Sequence, residues 1–352
     1  MRRTDPLIIG AGPAGCAAAV TLAQGGAHPL MLERAAETGD ALCGGFLSWR
    51  TLRTLTALGV ELRGHEVDHL RVFAGKHRAE APLPATAMGI SRRALDTALV
   101  DRALHLGAGI ERGVTIRSLD EAQSQSAALF LATGKHDVKG GERPRDARDP
   151  AIGLRVRLPA SPKLRALIGS AIELHLFDRG YAGIDLQEDG SANICLAVRK
   201  SRLAEADRDP HRLLEQLACL SPEFGARLDG FETASKIDAI AGIPYGWRAT
   251  AGRDGLFRIG DQCAVIPSLA GEGIGIALAG GKSAATAFLD GGADAAAGWQ
   301  AQFAQRSARP IGIAAALWRT GESPPLAAAA TLALGLIPGL ATLAARATRI
   351  KA

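Results

Sequence analysis

The sequence predicts an α/β fold. A doubly wound parallel sheet is assembled from both ends of the chain, a second β-sheet domain is inserted between them, and a helical segment follows. Three observations predict it. An apolar run, Leu7-Ile8-Ile9, ends in Gly10-Ala11-Gly12-Pro13-Ala14-Gly15 and leads through an alanine-rich stretch to a second apolar run, Leu30-Met31-Leu32, which stops at Glu33. Far downstream, Leu256 to Ile259 forms another short apolar run that ends at Gly260-Asp261 and continues through Gly271-Glu272-Gly273-Ile274 into a long apolar stretch. Between the two, residues 151 to 244 carry several strand-like runs and one helical pattern near Pro210 to Leu220.

The first of these is a Rossmann-like strand–helix–strand unit suited to a dinucleotide. Gly10 allows the tight turn, Gly12 lets the backbone approach a pyrophosphate, and Gly15 lets the helix pack on the strand. Pro13 and Ala14 open the helix, whose N-terminus faces the phosphates with free N–H groups and partial positive charge. Glu33 can accept hydrogen bonds from a ribose 2′- and 3′-OH, and Arg34 beside it joins the same cofactor-binding group. Three phase-locked glycines and the lack of a small-residue cleavage site argue against a signal peptide behind Arg2 and Arg3.

The following elements read in order. Ala41 to Ser48 is a glycine-hinged loop containing Cys43 and Gly44. Leu52, Leu55 and Leu58 mark one side of a helix stopped by Gly59, and Asp68 to Ala74 alternates like a strand. Ser91 caps a helix with Leu95, Leu99, Ala103 and Leu106 on one face. Ala127 to Leu131 is a buried strand ending at Ala132-Thr133-Gly134, and Lys135 and His136 read as solvated loop residues. Lys139 to Pro150, rich in charge, Gly and Pro, is the expected crossover between domains.

With 352 residues, the chain holds one large or two modest domains. Its net charge of +5 comes from 41 basic residues scattered among 36 acidic ones, with no basic stripe interleaved with aromatics, so nucleic acid is not an expected partner. Five widely spaced cysteines without a C-x-x-C fit a reduced, cytoplasmic protein.

The second glycine motif decides between dinucleotides. A strand end delivers Asp261 where a carboxylate can hold a ribityl hydroxyl. The helix opening at Gly271, Gly273 and Ile274 can stabilise negative charge on a reduced flavin. Together with Ser91-Arg92 and Asp96, these motifs resemble the FAD-dependent oxidoreductases of the para-hydroxybenzoate-hydroxylase (PHBH) fold, from about residue 5 to residue 290. Within that fold, Cys43-Gly44-Gly45-Phe46-Leu47-Ser48, Gly180-Tyr181-Ala182-Gly183 and Gly190-Ser191-Ala192-Asn193-Ile194-Cys195-Leu196 are similar to the geranylgeranyl-reductase-like branch. The resemblance implies a GR2/PHBH-type FAD-binding domain. It puts Glu33 on the AMP ribose, Arg92 near the pyrophosphate or ribityl chain, Asp261 on the ribityl chain, and the Cys43 loop close to the isoalloxazine. Thr133 and Gly134 belong to the expected cofactor set, and Cys43 and Tyr181 are the catalytic candidates. Two departures stand out. The reductases usually carry Tyr-x-Trp-x-Phe-Pro where this chain has Tyr181-Ala182-Gly183-Ile184-Asp185-Leu186. The hydroxylases usually show Asp-Gly where it has Ala132 to Asp137.

The expected partition is an FAD-binding domain from 1–67, 91–140 and 246–305, a substrate domain from 68–90 and 141–245, and C-terminal helices from 306–352. The expected activity is FAD-dependent redox chemistry on an apolar small molecule, in the manner of geranylgeranyl reductase, with NAD(P)H as a transient electron donor. The alternatives are an FAD-dependent monooxygenase of aromatic or polyketide rings and, in a different class, an NAD-dependent dehydrogenase. His65-Glu66-Val67-Asp68-His69 fits a zinc-protease pattern, but glycines break the helix it needs, so no metal is expected. Leu326 to Ala345 is twenty residues without a charge, flanked by Arg319, Arg346, Arg349 and Lys351. A packed helical hairpin is expected there, with a peripheral membrane anchor and a membrane span as alternatives.

Overall fold

Alternation of side chains explains the first sheet. The computed structural model describes residues 5–145, 147–232 and 234–350. Its parallel sheet has the strand order Leu256–Arg258, Leu129–Leu131, Leu7–Ile9, Leu30–Glu33, Gly109–Arg112. Ile8, Met31, Phe130 and Phe257 point to one face and pack on the helices Pro13–Gln24 and Gly273–Gly291. Leu7, Ile9, Leu32, Leu129, Leu131 and Leu256 point to the other, against Leu119 and Ala122. Both faces are therefore apolar, as a covered parallel sheet requires. The chain leaves Leu7–Ile9 toward one edge and later returns on its other side at Leu129–Leu131, so the crevice beyond these strand ends is a switch point where ligands bind.

The second sheet has eight strands, in the order Ile237–Ile243, Ala151–Leu158, Ala192–Arg199, Gly180–Leu186, Ala171–Phe177, His65–Ala74, His77–Gly89, Phe46–Leu47. It is antiparallel except where His69–Ala74 runs beside Ala171–Leu176. One face (Leu154, Ile184, Ile194 and neighbours) is sealed by the helices Pro162–Ile168 and Pro210–Leu220. The opposite face carries Gly153, Tyr181, Gly183 and Cys195 toward the ends of the parallel strands.

The strand His77–Gly89 has no counterpart in the sequence reading. It contains Pro82 and Pro84, but its outer edge pairs only at Met88 and Gly89, with Phe46–Leu47, so most of it is an edge where proline is tolerated. Because Phe46–Leu47 joins this sheet, the second sheet reaches back into the 1–67 segment. The helix Ala295–Gly321 runs through position 305, the expected boundary. His65 to His69 lies in a strand, not on the helix that the zinc pattern needs. Leu326 to Ala345 forms two helices, Pro324–Leu336 and Gly339–Ala347, bent by 116°. Among the described residues, no single helix is long and apolar enough to cross a membrane.

Candidate functional site

The strand ends open into a cleft of about 1030 Å³ that continues beneath the second sheet. Gly10, Gly12, Pro13, Ala14, Glu33, Arg34, Cys43, Gly44, Arg92, Thr133, Gly134, Tyr181, Asp261, Gly271, Gly273 and Ile274 all line it. Gly15 does not. A Cβ there would stand 2.0 Å from the Gly10 carbonyl oxygen, so its role is the close approach of helix to strand. The two glycine motifs touch directly: a Cβ on Gly260, at φ +61°, would meet Ala14 Cβ at 2.9 Å. Residues almost two hundred and fifty positions apart thus form one wall.

At the end of the strand Leu30–Glu33, the Glu33 carboxylate is fixed by the N–H groups of Ala11 and Ala35, each donating at 2.9 Å. Each oxygen keeps accepting capacity. Arg92 is held by Asp96 in a two-pronged pair at 2.9 and 2.7 Å, and its guanidinium faces Gly12. Burial opposes its charge, but Asp96 outweighs burial and keeps Arg92 protonated. Thr133 donates to the His136 carbonyl at 2.6 Å, and Gln262 spans the carbonyls of Gly134 and His136 at 2.9 Å each. Lys135 and His136 lie in a loop, His136 exposed and Lys135 half-buried, and both have partners: Lys135 donates to Leu42 O at 2.7 Å, and His136 Nε2 stands 2.6 Å from Arg34. Burial and the neighbouring Arg34 both lower the His136 pKa, so the ring accepts as a neutral imidazole.

Two helices aim their N-termini at the cleft. Ser48, Ser91, Ser118 and Ser161 cap the helices that follow them, but the helices opening at Pro13 and Gly273 carry no side-chain cap among the described residues. Their first-turn N–H groups remain for an anionic ligand. A Cβ placed on Gly44 or Gly273 would meet nothing within 4 Å, and one on Gly12 would meet only the Arg92 side chain. The cleft thus has bare backbone at three points along its length, which fits an extended dinucleotide with a phosphate bridge.

Several residues that build the site carry no signal of their own in the sequence. Asn193 is buried and donates to Cys43 O at 3.1 Å and Gly44 O at 2.8 Å, and Cys195 Sγ donates to Cys43 O at 3.0 Å. The Cys43 loop is therefore pinned by the second sheet. Opposite Asn193 in register lies Asp185, whose carboxyl is pushed well above the usual range by burial. Tyr181 donates to Ser268 Oγ at 2.6 Å, and Tyr245 lies 2.7 Å from the same oxygen. Glu272, between the two glycines of the second motif, is buried against Ser48 at 3.1 Å and Arg349 at 2.8 Å. Asn193 and Glu272 fall inside motif segments, whereas Ser268, Tyr245 and Arg349 follow no recognisable pattern.

With this geometry in place, the comparisons with known proteins are informative. Residues 3–140 match the family model described as FAD binding domain. This chain is an FAD-dependent oxidoreductase. FAD therefore displaces the nicotinamide alternative as the bound dinucleotide. A menaquinone reductase of Mycolicibacterium smegmatis is 26% identical over 345 residues, covering 89% of this chain and 83% of that protein. A digeranylgeranylglycerophospholipid reductase 2 of Methanopyrus kandleri is 24% identical, covering 80% of this chain and 75% of that one. Among solved structures, a geranylgeranyl bacteriochlorophyll reductase-like protein of Thermoplasma acidophilum superposes with a TM-score of 0.69 at 16% identity, over 100% of this chain and 94% of that chain. The flavin-dependent brominase Bmp2 superposes at 0.75 and 17% identity, over 98% and 93%. These two structures share the fold with this oxidoreductase.

Proposed function

We propose that this flavoenzyme reduces an apolar, isoprenoid-type substrate. The observation that carries the reading is the far half of the cleft. Leu70, Leu83, Ile172, Leu174, Leu317 and Ala341 line the cleft on the side of the second sheet and the C-terminal helices, a wall that suits an alkyl or prenyl chain. The two reductase relatives support the same substrate class.

The proposed cofactor set uses these residues. Glu33 would hold the AMP ribose, and the first-turn N–H groups beyond Gly12, with Arg92, would hold the pyrophosphate. Asp261 would hold the ribityl chain, and the Gly271-to-Ile274 helix start would serve the flavin ring. Bound FAD supplies a hydride when reduced. The chain orients the ring, excludes water through the Cys43 loop, and presents the Tyr181 hydroxyl network to the substrate. NAD(P)H is the proposed transient donor. The partition into a discontinuous FAD-binding unit, an inserted substrate unit and C-terminal helices is part of the same proposal.

The C-terminal helix pair points to a membrane as the source of substrate. Leu332, Leu336, Ile337, Leu340 and Leu343 are exposed on it, with the exposed cations Arg319 and Arg346 nearby, while Ala341, Ala344 and Ala345 of its second helix line the cleft. An apolar face with basic flanks suits peripheral contact with an anionic leaflet. Five thiols without a disulfide suit a cytoplasmic site.

The deciding experiment reduces the enzyme without oxygen and mixes it with menaquinone or digeranylgeranyl lipid in vesicles. Reoxidation of the flavin by the lipid supports the reading. Reoxidation only by oxygen, with a hydroxylated product, would establish the monooxygenase instead.

A further inference from the structure

We infer that Tyr245 is the proton donor of the reduction, with Ser268 and Tyr181 as positioning residues behind it. This rests on the reductase reading above. A hydride delivered to one end of a double bond must be matched by a proton at the other end. The chain's only two tyrosines converge on one serine oxygen that lies three residues before the Gly271 turn.

The order of donation sets the roles. Tyr181 is buried and its hydrogen goes to Ser268 Oγ at 2.6 Å. Ser268 has one hydrogen of its own, and the Tyr245 oxygen lies 2.7 Å away; in the proposed arrangement that hydrogen goes to Tyr245. The Tyr245 hydrogen is then left for the cleft, which that residue lines. Of the neighbouring donors, Cys195 Sγ gives its hydrogen to Cys43 O, and Lys135 Nζ is turned to Leu42 O. The Tyr245 ring stands edge-on to Trp318 at 5.0 Å, and Trp318 is covered by Arg199 at 4.1 Å, itself paired with Glu322 at 2.7 and 2.8 Å. The phenol is thus held in place. Burial, with Asp261, Cys195 and Cys43 facing it, raises the Tyr245 pKa, and the Ser268 contact opposes that rise. A protonated donor with a partner ready for its anion is what general acid catalysis needs.

The step balances. Reduced FAD, when bound, would supply the hydride and its electron pair to one end of the substrate double bond. The Tyr245 O–H bond breaks, its proton bonds to the other end, and its electron pair stays on the phenolate oxygen. The phenolate accepts the Ser268 hydrogen bond and regains a proton from water once product leaves.

Two measurements on the FAD-loaded protein test this. Ultraviolet resonance Raman spectra, with Tyr181→Phe and Tyr245→Phe to assign the two phenols, should show Tyr181 donating and Tyr245 accepting. Ser268→Ala should abolish both states, and Ser268→Thr should restore them. In anaerobic mixing of reduced enzyme with menaquinone vesicles, Tyr245→Phe should slow flavin reoxidation about 100-fold, with the flavin spectrum unchanged. A Tyr245 hydrogen found committed to Ser268, or a Tyr245→Phe enzyme as fast as the parent, overturns this inference alone. A parent enzyme that neither menaquinone nor digeranylgeranyl lipid reoxidises overturns the reductase reading, and this inference with it.

Discussion

Replacing Asn193 by alanine should loosen the Cys43 loop and weaken FAD retention together. The side chain is 1% exposed and its amide nitrogen serves two backbone carbonyls at 3.1 and 2.8 Å. Each lost hydrogen bond costs about 1 kcal/mol net, and a carbonyl left buried adds a similar penalty. Partial rehydration of a loop on the cleft wall recovers some of that, which leaves about 2–3 kcal/mol. If the ordered loop is the form that binds FAD, most of that loss falls on the bound state, and the FAD Kd rises by about tenfold to a hundredfold. Equilibrium denaturation of the FAD-loaded protein and fluorescence titration of FAD onto stripped protein read the two quantities separately. An Asn193→Ala protein with parental unfolding midpoint and parental Kd would refute the idea that the second sheet holds the loop in place.

Glu33→Ala should weaken FAD binding by at least about tenfold, read by flavin released on dialysis, and unchanged retention would move the ribose elsewhere. Arg349→Ala should destabilise the protein by about 3–5 kcal/mol, because it strands the buried Glu272 carboxylate, and thermal unfolding measures it. In the second sheet, burial would raise the Glu173 pKa, but hydrogen bonds from His175 and Arg227 outweigh it and hold it at about 2, against an ordinary 4.5. A depressed folded pKa means stability present above pH 4.5 that drains away as pH falls toward about 2, up to about 3 kcal/mol. Urea midpoints across that window should show this slope for the parent and lack it for Glu173→Gln. Leu336→Asp with Leu343→Asp should cut co-sedimentation with anionic vesicles about tenfold or more, and undiminished sedimentation would remove the helix pair from membrane contact.

The glycine-lined end of the cleft is legible in the sequence because its demands are local. Gly10, at φ +102° with only 2.5 Å between a would-be Cβ and Ala132 O, must be glycine, and Glu33 must end a strand one helix later. The Asp261 motif is readable for the same reason. The substrate side is not. Tyr245 follows the strand Ile237–Ile243 by two residues, and its meaning depends on where that strand's register delivers it relative to Ser268. Asn193 reads as one polar residue in an apolar strand, and only its neighbours in space show that it supports a loop 150 residues away. The strand His77–Gly89 was hidden by its prolines, because edge position is a tertiary property. Local rules write themselves into local sequence, whereas cross-sheet pairings leave single residues with no period to betray them.

The contact between Ala14 and Gly260 also bears on how the protein is made. The first glycine motif is synthesised before the segments it packs against: its strand Leu7–Ile9 lacks the neighbour Leu129–Leu131 until that segment follows, and the far wall of the cleft waits for Gly260 and Glu272. Arg349 then ties the tail to Glu272. Nascent chains shorter than this can offer a nucleotide only a fragment of its berth. Cofactor loading is therefore a late event in biogenesis, and apolar strands such as Leu7–Ile9 must be kept from wrong partners throughout that wait.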